Sequence, residues 1–448
     1  MRAATIEFEV FPLRDAVQMV VWCGRRVPMK PRYAANASKL ALVLAGGGMT
    51  GAVYEIGALR AIDDLLVDRS VTDFDIYVGT SAGAIIATFL ANRFSPETMF
   101  QVIAGQHPDI PPIKRKYIFD FNQREVIRRG LGLPGKLLGT TFEYLRDWQN
   151  STLVDVIWTL TDVLPSGFYD GMALDKYMRL ALGAYGNTNS FGDLERELFI
   201  IATSLDTGER AVFGTDVNSD VPISMAVAAS SALPMLYKPV RIGAAEYIDG
   251  SMRGNASLDI AIEHGATLIV CVNPLVPYDN SPRAGLRHDA FSKRGFSAIA
   301  AQVSRITQHS GLRYQIKQLR RQHPEVDIIL VEPRSDDRML AFGNIMRYAE
   351  RLEIARHGFE SVTLDLAADY QIYKEILARH GAQISRRLVI EELAEIQNAG
   401  YDATAVEQLI ETRKPKCVGD ARNTPFCRLT RALASLESEL DARASDPV

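Results

Sequence analysis

Two stretches of this chain each combine an apolar run, a glycine-rich turn and an apolar helix, and they constrain the fold more than any other feature. The run Leu40–Leu44 stops at a glycine cluster, after which apolar residues recur at helical spacing up to Leu65. Residues 74–78 form a second run that breaks at Gly79, and residues 84–90 resume as a buried helix. This repetition predicts a doubly wound, three-layer α/β/α fold with a central, mostly parallel sheet.

Short apolar runs return beyond residue 198 and alternate with segments of helical periodicity. Asp206-Thr207-Gly208 separates two of these runs and is typical of a hairpin turn. The predicted strands lie at 199–203, 210–213, 246–248, 267–272 and 326–331, and the predicted helices lie at 221–232, 258–264, 290–320 and 344–398.

Residues 105–195 interrupt this pattern. Between Lys114 and Lys136, seven basic and two acidic residues leave an excess of five positive charges, and an amphipathic stretch with Trp148 and Trp158 follows. We interpret the segment as a helical lid inserted over the active face. Its composition is typical of an element that lies on a membrane surface, and equally of a lid packed on the core with solvated basic residues.

The composition places the chain among ordinary globular proteins, with 448 residues, 47% hydrophobic and 23% charged. A formal charge of -4 argues against nucleic acid as a partner. The four cysteines form no closely spaced pair, so we expect neither a zinc site nor a disulfide framework, and a reduced, cytoplasmic location. No apolar run reaches the length of about 18 residues that a transmembrane helix requires.

Gly79-Thr80-Ser81-Ala82-Gly83 lies between a predicted strand and a predicted helix and matches the Gly-x-Ser-x-Gly nucleophile elbow. In that motif the serine occupies a strained turn, and small residues on either side let neighbouring backbone pass closely. The serine Oγ then projects at the carboxyl edge of the sheet. The alternative is a tight turn whose serine merely caps a helix.

Gly46-Gly47-Gly48-Met49-Thr50-Gly51 joins the first predicted strand to the first predicted helix. Consecutive glycines leave several N–H groups free to converge on one oxygen, and the helix dipole adds positive potential. The same letters match a dinucleotide-binding turn, which requires an acidic residue at the end of the second strand. Here that strand ends in glycine, threonine and serine, and Asp73 and Asp75 lie at its entrance. We therefore favour an oxyanion hole.

The nucleophile needs a base, and histidine is the usual one. His264 ends a predicted helix, where a cationic cap is its ordinary role. Asp249 ends a predicted strand before Gly250 and Ser251, so a sharp turn can present its carboxylate, and a water-poor pocket would raise its pKa. Taken alone, Asp-Gly-Ser is more simply a turn signal, and its weight comes from the other two motifs. The remaining histidines lie in predicted loops or charged helices: His107, His288, His309, His323, His357 and His380.

Together the three motifs resemble those of the patatin-like phospholipases, whose fold is related to the catalytic domain of cytosolic phospholipase A2. The family's signatures are a glycine-rich oxyanion loop, a Gly-x-Ser-x-Gly elbow and an Asp-Gly-Gly/Ala motif. They match residues 46–51, 79–83 and 249–251 in order, and the resemblance covers roughly residues 39–335.

The resemblance implies a serine lipid acyl hydrolase of phospholipase A or lysophospholipase type that needs no metal or other cofactor. Ser81 would attack an ester carbonyl, Asp249 would accept its proton, and the nest at residues 47–49 would hold the oxyanion until water releases the fatty acid. The chain departs from the family at Thr50, where Arg or Lys is common, which weakens the case for an anionic head group. It also departs at Ser251, which replaces Gly or Ala.

The expected organisation is an N-terminal extension at 1–37, an acyl hydrolase domain at 38–365 containing the lid at about 105–195, and a helical C-terminal extension at 366–448 with a loosely ordered tail. The substrate would be a lipid at a membrane surface, which a cytoplasmic protein reaches by reversible association. A thioesterase, a neutral lipid lipase with the same dyad, and a catalytically weak lipid-binding regulator remain alternatives. The sequence does not indicate an oligomeric state.

Overall fold

The computed structural model describes residues 38–123, 164–184, 186–214, 216–281, 290–342, 350–385 and 402–411, with scattered positions between and beyond these ranges. The N-terminal extension, most of the basic and aromatic part of the lid, and nearly all of the C-terminal tail lie outside the described residues. The predictions about those segments therefore remain predictions.

The described strands form one large sheet and one small pair. The strands are β1 Leu40–Leu44, β2 Ile76–Thr80, β3 Gly167–Tyr169, β4 Glu197–Ser204, β5 Arg210–Gly214, β6 Met235–Tyr237, β7 Val240–Ile242, β8 Ala245–Asp249, β9 Leu268–Val272 and β10 Asp327–Val331. The large sheet has the order β10-β9-β1-β2-β4-β8-β7, with β5 also paired to β4, and β3 pairs with β6.

Helices cover both faces of the large sheet. No helix in the described ranges is long and apolar enough to cross a membrane. The helices are α1 Gly48–Leu65, α2 Ala82–Ala91, α3 Pro96–Ala104, α4 Arg115–Ile118, α5 Met172–Gly183, α6 Ile223–Ser230, α7 Leu258–Glu263, α8 Phe296–Gln322, α9 Arg338–Phe342, α10 Arg351–Ala368, α11 Tyr370–Arg379 and α12 Ala403–Glu411.

The apolar runs are strands because the sheet is buried on both sides. Leu40, Leu42 and Leu44 point into a core shared with α1, α2, α3 and α5, whereas Ala41 and Val43 point into a second core shared with α7 and α8. A strand covered on both faces reads as a continuous apolar run. The predicted three-layer architecture is confirmed.

The central strands β10, β9, β1, β2 and β4 are parallel, and β5 and β8 add to β4 in antiparallel fashion. From β1 the chain first builds towards β4 and later returns to add β9 and β10 on the other side. The carboxyl end of β1 therefore lies where the winding direction reverses, which is the usual position of a ligand site in an open α/β sheet.

Two predicted boundaries were wrong by a few residues. β2 continues through Gly79 to Thr80, because Gly79 pairs in register with both Leu44 and Ile200 and keeps its place in the sheet without a side chain. α8 begins at Phe296 rather than near residue 290, because Gly295 adopts a φ of 82° immediately before it.

One cysteine differs from expectation. Cys271 is buried and free, whereas Cys427 is disulfide-bonded. The expectation of reduced cysteines is therefore wrong at Cys427, because spacing along a sequence reveals only closely spaced pairs and does not fix which cysteines meet in space.

Candidate active site

Ser81 occupies a strained turn between β2 and α2. Its φ of 55° and ψ of −119° lie where residues other than glycine rarely occur. A Cβ on Gly79 would lie 2.6 Å from the Ala84 Cα, and a Cβ on Gly83 would lie 2.4 Å from the Leu44 carbonyl oxygen. The small residues of the elbow therefore let the turn pack directly against the end of β1, as the sequence predicts.

Asp249 reaches the same edge of the sheet from an antiparallel strand. Thr80 is paired with Ile201 of β4 and Asp249 with the next residue, Ala202, and both pairs lie along one edge of β4, because β5 occupies the other edge. A Cβ on Gly250 would lie 2.2 Å from the Ile201 carbonyl oxygen, so the turn after Asp249 also requires glycine. This register places residues 81 and 249 next to each other, where β2 ends and β8 takes over the same edge of β4.

The structure brings the two predicted side chains into direct contact. Ser81 Oγ donates a hydrogen bond to Asp249 Oδ2 at 2.5 Å, and the Ser251 N–H donates to Asp249 Oδ1 at 2.8 Å. Ser81 is 6% exposed and Asp249 is 2% exposed. No histidine of the described residues contacts either side chain, so the serine has a carboxylate as its immediate hydrogen-bond acceptor.

Burial makes Asp249 a stronger base than an ordinary carboxylate. Loss of hydration raises its pKa, and the hydrogen bonds from Ser81 and Ser251 offset only part of this effect. Within the described part of the chain, no lysine, arginine or histidine forms an ion pair with Asp249. A carboxylate held this way gains more from accepting a proton than one in water does.

A cavity of about 220 Å³ borders both side chains. Most of its wall is apolar and comes from α1, α2, α3, the segment 110–118 and α5. Its apolar lining includes Met49, Ala52, Val53, Ile56, Ile85, Ile86, Phe89, Phe94, Met99, Val102, Ile103, Ile110, Ile113, Ile118, Leu174 and Leu233. Such a lining accommodates an apolar group.

The glycine loop presents only part of its backbone to this cavity. The Gly46 N–H donates to the Asn255 carbonyl at 3.1 Å, and the Gly51 N–H donates to the Gly47 carbonyl at 3.0 Å. Thr50 is buried and is not part of the cavity wall. The N–H groups of Gly46 and Gly51 thus hold the loop in place.

Residues 47–49 supply the available donors. All three line the cavity beside Ser81, and their N–H groups have no acceptor among the described residues. A Cβ on Gly47 would lie 2.5 Å from the Pro274 Cγ, and Gly48 has a φ of 62°. Glycine is therefore needed at both positions for the loop to keep this conformation next to the N-terminus of α1.

Two serines that sequence reasoning did not single out hold the nucleophile turn. The Ser81 N–H donates to Ser230 Oγ at 2.8 Å, and Ser230 Oγ donates to the Ile201 carbonyl at 2.5 Å. Ser231 Oγ donates to the Ser81 carbonyl at 3.3 Å. In the sequence, these serines belong to a run of small residues at the end of the predicted helix before Pro234. That run does not indicate that either serine contacts Ser81.

His264 lies away from the site, at the C-cap of α7. Its ring packs on Phe199 with centroids 4.2 Å apart, and its Nδ1 lies 3.2 Å from a Glu197 carboxylate oxygen. The structural role predicted for this residue agrees with these contacts. Among the residues that the structure describes, no group of three or more His, Cys, Asp or Glu side chains is arranged to hold a metal ion.

A model of the family described as "Patatin-like phospholipase" matches residues 42–262. The match begins in β1 and ends in α7, so it contains all three motifs. The structure places β9 and β10, which lie beyond the matched region, in the same sheet.

Two relatives have similar sequences. YqhO of Bacillus subtilis, an uncharacterized protein, is 28% identical over 224 residues, which is 48% of this chain and 63% of that protein. The probable lipid hydrolase 463L of Invertebrate iridescent virus 6 is 21% identical over 242 residues, which is 53% of this chain and 66% of that protein. The matched regions thus span less than two thirds of each of these relatives.

Two solved structures match at lower sequence identity. VipD from Legionella pneumophila is 13% identical, with 92% of this chain and 89% of that chain covered at a TM-score of 0.28. The complex of SpcU with ExoU from Pseudomonas aeruginosa is matched at 16% identity over 84% of this chain and 67% of that chain, with a TM-score of 0.24. Scores this low support no conclusion, whereas the family match and the ordered motifs agree. Residues 42–262 of this chain belong to the patatin-like phospholipase family.

Proposed function

We propose that the chain is a serine lipid acyl hydrolase in which Ser81 is the nucleophile and Asp249 is the general base. The observation that carries the proposal is the 2.5 Å hydrogen bond from Ser81 Oγ to Asp249 Oδ2 beside an apolar cavity. The family assignment and the similarity to a probable viral lipid hydrolase support the same reaction class.

The geometry supports a two-step reaction. Ser81 Oγ attacks the ester carbonyl carbon while its proton passes to Asp249 Oδ2, and the N–H groups of residues 47–49 stabilise the oxyanion. The tetrahedral intermediate collapses, the alcohol leaves with the proton from Asp249, and the acyl group stays on Ser81. Water then attacks the acyl-serine and passes a proton to Asp249, and the second collapse releases the fatty acid and restores the Ser81 hydroxyl.

Covalent labelling tests the nucleophile directly. We expect a fluorophosphonate probe to label the wild-type protein and not Ser81→Ala. The matched control is Ser304→Ala, because Ser304 lines the same cavity without a hydrogen bond to a carboxylate. Labelling that persists in Ser81→Ala and disappears in Ser304→Ala would contradict the proposal.

A substrate panel tests the reaction class. Wild type and Ser81→Ala are compared on a phospholipid, a diacylglycerol and an acyl thioester with the same acyl chain. Hydrolysis of an oxygen ester by wild type, lost in Ser81→Ala, supports the proposal. Activity confined to the thioester would make the chain a thioesterase, and labelling without turnover on any substrate would favour a lipid-binding regulator.

We also propose that the protein works at a lipid surface. Four apolar side chains of α8, Phe296, Ile299, Val303 and Ile306, are 87%, 42%, 55% and 48% exposed, and the same helix lines the cavity. Exposed apolar side chains spaced along one helix are typical of interfacial binding.

Vesicle binding tests this surface. We expect Phe296→Ser combined with Ile299→Ser to reduce sedimentation with phosphatidylcholine vesicles, whereas Leu364→Ser, on the similarly exposed Leu364 of α10, leaves it unchanged. Equal binding by all three proteins would overturn the proposal.

A further inference from the structure

Arg305 is a buried cation without an anionic partner in the described structure. It lies on α8, is 5% exposed and lines the same cavity as Ser81. One terminal nitrogen donates to the Leu340 carbonyl at 2.9 Å, and no carboxylate of the described residues forms an ion pair with it. Burial alone lowers its pKa, with no contribution from a neighbouring charge.

Arg60 shows what a structural arginine looks like in this protein. It is fully buried, and it forms ion pairs with Asp64 and Glu97. A buried charge is costly unless an opposite charge and hydrogen bonds compensate it. Arg60 has that compensation from its own chain, whereas Arg305 leaves most of its guanidinium donors for something that enters the cavity.

The position of Arg305 relative to the donor loop is fixed by packing. Pro274 lies against Gly47 and Gly51, and it begins the segment 274–281 that leads from β9 towards α8. Within that segment, the Tyr278 N–H donates to Gln302 Oε1 at 3.1 Å, and Gln302 Nε2 donates to the Tyr278 carbonyl at 2.9 Å. Gln302 precedes Arg305 by less than one turn of α8, so the turn of α8 that carries Arg305 is hydrogen-bonded to the segment that packs on the donor loop.

Arg305 and the apolar wall come from opposite sides of the sheet. The helices α1, α2, α3 and α5 belong to the first core, whereas Leu312, Ile316 and Leu319 of α8 pack in the second core. The beginning of α8 extends past the sheet to the cavity, where Ser304 and Gln308 add polar groups beside Arg305. The cavity thus has an apolar part and a separate cationic part, and Ser81 borders both.

We propose that Arg305 binds the phosphate of the substrate, which makes the substrate an acylated phospholipid rather than an uncharged glyceride. This inference rests on the proposed acyl hydrolase function. The acyl chain fits the apolar wall and its carbonyl carbon is bonded to Ser81 during the reaction, so the charge at Arg305 belongs to the alcohol half of the ester. A free fatty acid does not meet this requirement, because its carboxylate forms at Ser81.

The proposal also accounts for the departure at Thr50. The absence of Arg or Lys from the donor loop weakens the case for an anionic head group only if no other cation faces the cavity. Arg305 supplies such a cation from a helix far along the chain, and its planar fork of donors suits a phosphate group.

The test compares Arg305→Gln and Arg305→Lys with wild type. The substrates are dioleoyl phosphatidylglycerol, dioleoylglycerol and a short uncharged ester, each in micelles of a non-ionic detergent. We expect Arg305→Gln to lower kcat/KM for the phospholipid by about 10- to 100-fold and to change the other two less than about twofold, with partial recovery in Arg305→Lys. Arg321→Gln is the control, because it removes one positive charge from an exposed position of the same helix.

Equal losses on all three substrates would show that Arg305 only supports the structure, and unchanged phospholipid hydrolysis would show that it does not contact the substrate. Either result overturns the proposal. If wild type hydrolyses none of the esters, the proposed function fails, and calorimetric binding of dodecyl phosphate, laurate and dodecyl maltoside decides the site separately. Weaker binding of dodecyl phosphate alone by Arg305→Gln supports the phosphate site. Weaker binding of laurate instead, or of no ligand, overturns it.

Discussion

Asp249 and Glu332 are two buried carboxylates at the same edge of the sheet, and their surroundings give them opposite properties. Asp249 ends β8 and is 2% exposed, and Glu332 directly follows β10 and is 8% exposed. Burial raises the pKa of both groups. The difference between them therefore comes from the neighbouring charges and not from depth.

Glu332 is surrounded by partners that favour its charged form. It lies 3.3 Å from His309, accepts from Asn273 Nδ2 at 2.8 Å and pairs with Arg313 at 2.6 Å. These contacts outweigh burial and hold its pKa below the usual value. Among the described residues, Ser81 and Ser251 are the only hydrogen-bond donors to the Asp249 carboxylate, so burial prevails and its pKa is raised. Cations thus stabilise the charged form of Glu332, whereas Asp249 lacks such partners among the described residues and binds a proton more readily.

Neutralising each carboxylate in turn gives the largest expected difference. We expect Asp249→Asn to lower kcat for ester hydrolysis by at least about 10⁴-fold, because the amide cannot accept the serine proton. We expect Glu332→Gln to keep kcat within about tenfold of wild type. The measurement is steady-state kinetics on a short acyl ester. Near-wild-type activity of Asp249→Asn would remove the carboxylate from the mechanism.

The same two variants are expected to change stability in opposite directions at neutral pH. Glu332→Gln leaves Arg313 and His309 without their carboxylate, so we expect it to lose roughly 3 kcal/mol of unfolding free energy. Asp249→Asn removes a buried charge without a cationic partner, so we expect it to gain about 1 kcal/mol. Urea unfolding of both variants measures the two values. A destabilised Asp249→Asn would show that the carboxylate contributes to folding.

The contrast between the two carboxylates could not be derived from the sequence. The sequence singles out Asp249 because it ends a predicted strand beside a turn-forming glycine, and strand-to-turn patterns single out the elbow and the donor loop in the same way. Those signals are local. Glu332 contacts Arg313 and His309, which lie on α8, and Ser230 contacts Ser81, which lies 149 positions earlier in the chain. Spacing along the chain therefore does not reveal these partners.

The topology of the sheet could also be predicted only in part from the sequence. The buried strands and most helices follow from apolar runs and periodicity. The antiparallel direction of β8, which brings Asp249 back level with Thr80, depends on how far β4 extends beyond its neighbours. The sequence places Arg305 within the predicted helix 290–320 and gives it no role, because the pattern of α8 does not show that this particular turn reaches the cavity.

The dependence of activity and of stability on pH also distinguishes Asp249 from Glu332. Asp249 must be ionised to act as a base, so we expect log(kcat/KM) to fall by about one unit per pH unit below its raised pKa. The contributions of the two carboxylates to the free energy of unfolding change with pH in opposite directions. Asp249 binds a proton more tightly in the folded state, so its contribution is present at low pH and is lost as pH rises through its folded pKa. Glu332 has a lowered pKa, so its contribution is present above its unfolded pKa and is lost as pH falls through its folded pKa.

Glu332→Gln is the variant that checks this assignment. We expect it to keep the acidic limb of the activity profile, because Asp249 is intact, while the loss of stability on acidification becomes smaller than in wild type. Activity between pH 3 and 8 (roughly the range in which carboxylates titrate in proteins) and melting temperature over the same range are measured together. If the acidic limb disappears in Glu332→Gln, the group that titrates in the activity profile is Glu332 and not Asp249, and our assignment is wrong.

The smallest predicted effect concerns how the nucleophile, rather than the base, is held. The backbone of Ser81 has a positive φ, and Ser230 Oγ holds it by accepting from the Ser81 N–H while donating to Ile201. Strained conformations persist only where surrounding contacts fix them. We expect Ser230→Ala to lower kcat about tenfold with little change in KM, because the hydroxyl of Ser81 would align less often with Asp249.

Ser224→Ala is the matched control for this last prediction. Ser224 lies on the same helix, α6, is equally buried and donates to Asp175 Oδ1 at 2.6 Å, but it does not contact the elbow. Both variants lose the two hydrogen bonds of one buried hydroxyl and should be destabilised by about 1–3 kcal/mol, whereas only Ser230→Ala should also lose turnover. Equal kcat in the two variants would mean that the elbow keeps its shape through Gly79 and Gly83 alone, and that packing against β1 is sufficient to hold the strained serine.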